Sequence, residues 1–131
     1  MTPLVLIYNM EGERKRQVEL LAACHGIRVR AVPAAEYGRA LGTLCGLPEE
    51  GGAPGLWNGF AEEMLVMAHF TEPLFHRFVD GFRQAGIAPI RLKAVLTETN
   101  KSWNSCELRA ELVREEAAFR AMKAQSPRHD G

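Results

Sequence analysis

Aspartate is almost missing from this chain, with Asp80 and Asp130 as its only two. A receiver-type phospho-acceptor needs a carboxylate at the end of a third strand, and His69 stands there instead. Serine is scarce as well, and Ser102, Ser105 and Ser126 sit in no G-x-S-x-G turn, so a serine hydrolase has no nucleophile elbow. Neither a G-x-G-x-x-G fingerprint nor a G-x-x-x-x-G-K-[ST] loop occurs, which leaves dinucleotide and nucleoside-triphosphate binding without support. The three cysteines, Cys24, Cys45 and Cys106, are an odd number without C-x-x-C spacing and are expected as free thiols. The four histidines form no i, i+4 pair and have no cysteine at finger spacing, so neither a metal nor another cofactor is expected.

Charge of one sign is lacking too. Sixteen Lys and Arg balance sixteen Asp and Glu, and the balance is local, so no nucleic-acid or anionic-membrane footprint is visible. The apolar run near the start, Leu4 to Tyr8, is too short for a signal-peptide core and follows no lysine or arginine. A cytoplasmic protein is the expectation.

What the chain does contain is 131 residues with 47% hydrophobic content, enough for one domain over residues 1–124 with a frayed tail at 125–131. Leu4 to Ile27 and Met64 to Ile87 match at a constant offset of sixty. Each stretch runs from an apolar segment (LVLIYNM, MLVMAHF) through a helical stretch to Gly-Ile and then to RVRAV or RLKAV. The second would carry three extra residues before Arg91 takes the place of Arg28. The reading is two βαβ copies, at 4–32 and at 64–123 with a last helix, joined by a Gly- and Pro-rich connection over 33–62.

Unbroken apolar runs at Leu4 to Tyr8 and Met64 to Ala68 mark strands covered on both faces, hence central. Ile27 to Val32 and Ile90 to Leu96 interleave Arg28, Arg30, Arg91 and Lys93 with apolar residues and belong at the edges. A four-stranded parallel α/β sheet of order 2-1-3-4 with helices on both faces meets both conditions; the competitor is a ferredoxin-like α+β sheet. The first helix should span Gly12 to Cys24. The next clear one should be capped by Thr71, with Phe70 and Phe75 as a staple, Leu74, Phe78, Val79 and Phe82 facing inward, and Gly86 at its end. A last helix, opened by Asn104 and Glu107, should bury Leu108, Leu112, Phe119 and Met122. Ala34 to Leu44 could hold a short helix, and Gly46 to Gly59 should be the least protected internal segment.

In an open parallel sheet ligands bind outside the carboxyl ends of the strands. That rule gathers Asn9 and Glu11 after the first strand with His69 after the third, and with Thr97, Thr99, Asn100 and Trp103 after the fourth. Lys93 joins them if it faces inward. Arg14, Lys15 and Arg16 crowd the start of the first helix, either solvated or helping to hold an anion there. The segment KAVLTETNKSW, Lys93 to Trp103, is the most distinctive in the chain; it reads as a ligand-binding turn or as a device joining the fourth strand to its helix.

An apolar strand, a helix ending in A-G-I, then L-K-A-V-L-T-x-T-N-x-x-W and a charged E-L-rich helix resembles a bacterial domain-of-unknown-function family, number 3783, over about Met64 to Glu116. Glu98 stands where members of that family often have proline. The resemblance implies a small bacterial cytoplasmic α/β protein whose Lys93, Thr97, Thr99, Asn100 and Trp103 need explaining. The leading expectation is a non-catalytic binding or regulatory domain for a partner protein or a small anionic ligand. The alternatives are an enzyme with His69 or Glu11 as acid or base on a substrate polarised by Lys93, and a homodimer joined through an edge strand or the last helix.

Overall fold

The computed structural model describes residues 1–48 and 59–125. The expectations for the Gly46 to Gly59 segment, apart from Gly46 to Pro48 and Gly59, and for the tail beyond Gln125 lie outside the described residues. In chain order the elements are β1 (Leu4–Tyr8), α1 (Gly12–Cys24), β2 (Arg28–Ala31), a 3-10 turn (Ala34–Glu36), α2 (Leu41–Leu44), β3 (Met64–Ala68), α3 (Glu72–Gln84), β4 (Leu92–Val95) and α4 (Ser105–Gln125).

The sheet order is β2-β1-β3-β4, so the two unbroken apolar runs are central and the two charged ones are edges. Side-chain alternation gives each central strand two jobs. Val5, Ile7, Leu65 and Met67 join Val18 and Ala22 of α1 and Leu74, Phe78 and Phe82 of α3 in one core. On the opposite face Leu6, Tyr8, Met64, Val66 and Leu92 join Leu41 and Leu44 of α2 and Leu108 of α4. Helices therefore cover both faces.

Strand direction departs from the expectation. β1 runs parallel to β2 and β3 parallel to β4, but β1 and β3 are antiparallel, with Leu4 opposite Ala68 and Tyr8 opposite Met64. The sheet is mixed rather than all parallel. It is not ferredoxin-like either, because that arrangement sets the central strands antiparallel to their edge partners and leaves one face open. Just beyond β1 the Asn9 amide donates to the carbonyls of Phe60 at 2.7 Å and Glu62 at 2.9 Å. These bonds hold the entry to β3 beside the exit of β1, in keeping with the antiparallel pairing.

The offset of sixty reappears in the element bounds: β1 with β3, and α1 with α3. Gly26 and Gly86 follow α1 and α3 at φ of 69° and 71°, the left-handed turn that closes a helix and that a Cβ disfavours. Asn9 and His69 follow β1 and β3 at φ of 59° and 63°. The edge strands correspond differently from the expected alignment. Arg28 pairs opposite Leu4 and Leu92 opposite Met64, so Leu92 rather than Arg91 occupies the position of Arg28. A slip of one residue exchanges the faces of a strand. It turns Leu92 and Ala94 toward the α4 side and Lys93 toward the side of α1 and α3.

Local expectations for the helices hold at their starts. The Thr71 hydroxyl accepts from the Leu74 amide at 3.3 Å. Asn104 and Glu107 form a reciprocal box, with Glu107 N–H donating to Asn104 Oδ1 at 2.8 Å and Asn104 N–H to Glu107 Oε1 at 3.1 Å. Tyr8 and Ser105 hydroxyls meet at 2.7 Å inside the core and tie α4 to the central strand. The far half of α4 differs: Phe119 and Met122 are 67% and 68% exposed rather than buried. A helix of 21 residues is about 31 Å long and outruns strands of about 17 Å, so the end of the stripe that Leu108 begins has no sheet beneath it.

Candidate functional site

Because β1 and β3 oppose one another, the sheet has two carboxyl edges instead of one. Asn9 and Glu11 lie at the first, beyond β1, while His69, Thr97, Thr99, Asn100 and Trp103 lie at the second, beyond β3 and β4. Lys93 belongs to neither. It sits opposite Leu65, four residues before His69 in register and thus about 13 Å along the strand. The eight residues do not gather at one edge, and no substrate of small size reaches Glu11, His69 and Lys93 together.

Each edge opens into a cleft. The first, of about 290 Å³, is lined by Asn9, Met10, Glu11, Ala31, Val32, Pro33, Ala34 and Tyr37, with Ile7 at its base. The second, of about 450 Å³, is lined by Leu47, His69, Phe70, Val95, Leu96, Thr97, Glu98 and Lys101. The two occupy corresponding places. Val32 N–H donates to the Ile7 carbonyl as Leu96 N–H donates to that of Met67, at 3.0 and 2.9 Å. Pro33, Ala34 and Tyr37 therefore correspond to Thr97, Glu98 and Lys101, as Asn9 and Met10 do to His69 and Phe70.

Their linings differ. In the first cleft the Tyr37 hydroxyl donates to Asn9 Oδ1 at 3.3 Å, and its ring stacks on Phe60 with centroids 4.7 Å apart. Burial raises the Tyr37 phenol above its ordinary pKa, so the hydroxyl stays protonated as that bond requires. Asn9 spends its amide on the segment leading into β3. Asn9 and Tyr37 are thus engaged by the fold. In the second cleft Lys101 Nζ meets Glu98 Oε2 at 2.8 Å, but Glu98 is 91% exposed, and such a pair contributes only about 0.2–1 kcal/mol. His69 Nε2 lies 3.1 Å from the Cys45 carbonyl; a carbonyl only accepts, so Nε2 carries the proton.

The TETNKSW segment shapes this cleft from behind. Asn100 is buried and fully engaged: its Oδ1 accepts from Thr97 N–H at 2.8 Å, its Nδ2 donates to the Val95 carbonyl at 3.0 Å, and its own N–H donates to Thr97 Oγ1 at 3.1 Å. The carbonyls of Trp103 and Lys101 accept from Leu41 and Gly42 N–H, both at 2.8 Å. Those are amides that open α2, whose preceding residue Ala40 offers no side-chain cap. Trp103 packs partly buried against the α4-side core. Asn100 and Trp103 thus hold the turn, and Thr99 is exposed on it without lining the cleft. Lys101 escaped the sequence reading although its i, i+3 spacing from Glu98 was visible there. Leu47 carried no signal, since α2 brings it in from a distant part of the chain.

Neither Arg14 nor Cys45 is poised for chemistry. Arg14 is engaged by Glu63 at 3.0 Å and by the carbonyls of Ala88 and Pro89, so it holds β3's entry rather than a bound anion. Burial pushes the Cys45 thiol up to about 11 despite nearby Arg30, whereas a nucleophilic thiol needs a lowered value. Accordingly, alkylation at pH 8 should modify exposed Cys24 first and Cys45 slowest, with the Cys45 rate climbing as pH approaches 11. Mass mapping of the labelled peptides checks this; equal rates at pH 8 would contradict the burial of Cys45. Among the described residues no group of three or more His, Cys, Asp or Glu is placed to hold a metal ion, and no helix is long and apolar enough to cross a membrane.

Residues 63–119 match the model of a family described as a domain of unknown function, DUF3783. The match spans β3, α3, β4 and most of α4, and it holds every residue of the second cleft except Leu47. It bears out the resemblance read from Met64 to Glu116. No curated protein and no solved structure matches the chain.

Proposed function

We propose that this chain is a non-catalytic binding or regulatory domain that takes a small anionic ligand in the cleft at the carboxyl ends of β3 and β4. The observation that carries the reading is the contrast between two corresponding clefts. In one, Tyr37 bonds Asn9 and stacks on Phe60, and the other sets His69, Thr97 and Lys101 beside an apolar wall of Leu47, Phe70, Val95 and Leu96. Lys101 supplies the charge, the Thr97 hydroxyl keeps its own proton to donate, and the wall accepts the uncharged part of the ligand. The two βαβ units are read as copies of one ancestral unit, supported by the recurring offset and the matched left-handed residues. In that reading the first copy has committed Asn9 and Tyr37 of its cleft to structure.

The test is native mass spectrometry of the purified chain, followed by NMR titration with inorganic phosphate and with acetate. A bound anion, or saturable shifts at His69, Thr97 and Lys101, is the expected result. Lys101→Met should weaken binding about five-fold. His69→Asn, which keeps a side chain tolerant of left-handed backbone, should weaken it with the fold unchanged. Shifts confined to other parts of the surface would refute the cleft, and a co-purifying protein bound through it would favour an adaptor.

A further inference from the structure

Lys93, prominent in the L-K-A-V-L-T segment, is left unused by that cleft. On the face of β4 that looks toward α3 it stands at the mouth of a second, narrower cavity of about 40 Å³, whose walls include Met67, Phe78, Val79, Phe82 and Ile90. All of these but Val79 are buried in the core. The lysine is exposed, and its ammonium donates to the Ile90 carbonyl at a long 3.3 Å. Among the described residues no carboxylate forms an ion pair with it.

We propose that this slot binds a short aliphatic monocarboxylate, with the hydrocarbon chain between α3 and β4 and the carboxylate on Lys93. Apart from Lys93 the lining side chains carry no nitrogen or oxygen, so water gains little by entering, and a chain of methylene groups supplies the contacts the lining atoms lack. Size sets the length: at roughly 10–15 Å³ for each water-sized occupant, the slot holds about three heavy atoms. Three carbons inside and a carboxylate outside make butanoate the matched probe. The charge at the mouth selects the acid over the alcohol. This site lies on the opposite face of β4 from the side chains of Leu92, Ala94 and Leu96, and its occupancy does not depend on the cleft of His69 and Lys101.

The experiment titrates the full chain with sodium butanoate, acetate and butan-1-ol while following backbone amide resonances. Butanoate should shift Phe78, Ile90 and Lys93 saturably and bind roughly ten-fold more tightly than acetate, from its two additional methylenes. Lys93→Met retains the apolar stem on an exposed site. It should weaken butanoate about five-fold and leave butan-1-ol unchanged. Val79→Phe should fill the slot and abolish both, with a melting curve to confirm that the variant is folded. Butanoate no tighter than acetate, or equal affinities in the parent and Lys93→Met, would overturn the proposal.

Discussion

Phe78→Ala should cost about 3–5 kcal/mol in urea-induced unfolding, which for a domain of ordinary stability is a third or more of the total. Phe78 is fully buried at the middle of α3, where its ring meets Phe70 edge-on at 5.8 Å and Phe82 edge-on at 5.3 Å. Strands on the other side and helix backbone around it prevent collapse into the space left behind, so both transfer and cavity contributions are lost. The consequence reaches the cleft, since Phe70 forms part of its wall and rests on Phe78. Binding at His69 and Lys101 should weaken along with stability. A loss below about 1 kcal/mol would mean that α3 does not pack on β3 as described.

Asn100→Ala should lower stability by about 2–4 kcal/mol, because it strands two backbone groups inside the turn, the Thr97 N–H and the Val95 carbonyl, each costing about 1–3 kcal/mol unsatisfied. Asn100→Asp is an informative companion. It restores the acceptor for Thr97 but sets a carboxylate oxygen against the Val95 carbonyl, so it should be no better than alanine. Urea titration measures both variants. Loss of anion binding at a stability cost below about 1 kcal/mol would instead make Asn100 a direct ligand contact, contrary to its three internal bonds. The burial of this side chain raises the expected cost above that of an exposed turn former, which is how the sequence alone presents it.

Much of the local structure was legible because its causes are local. Thr71, Gly26, Gly86 and the Asn104–Glu107 pair act within a few residues, and α3 and α4 begin, and α1 and α3 end, where those residues place them. Candidate site residues fared differently. His69 and Thr97 do share a cleft, but Asn9 and Glu11 open onto the other edge and Lys93 onto another face. Asn9, Asn100 and Trp103 carry the polar or aromatic character of site residues, and all three spend it on holding segments of the chain together.

Burial pattern alone determined which strands are central and which are edges, since a run such as Leu4 to Tyr8 without a polar residue is stable only with cover on both faces. The same pattern is blind to direction, for an apolar run reads alike from either end and buries the same side chains whichever way its neighbour runs. Only tertiary structure decided that β3 opposes β1, in a pairing that Asn9 joins with bonds to carbonyls 51 and 53 residues away. That reversal settled which polar residues share an edge. Tertiary structure decided too that Phe119 and Met122 lie beyond the sheet, because a periodic stripe records what a helix can bury and not how far the surface beneath it extends.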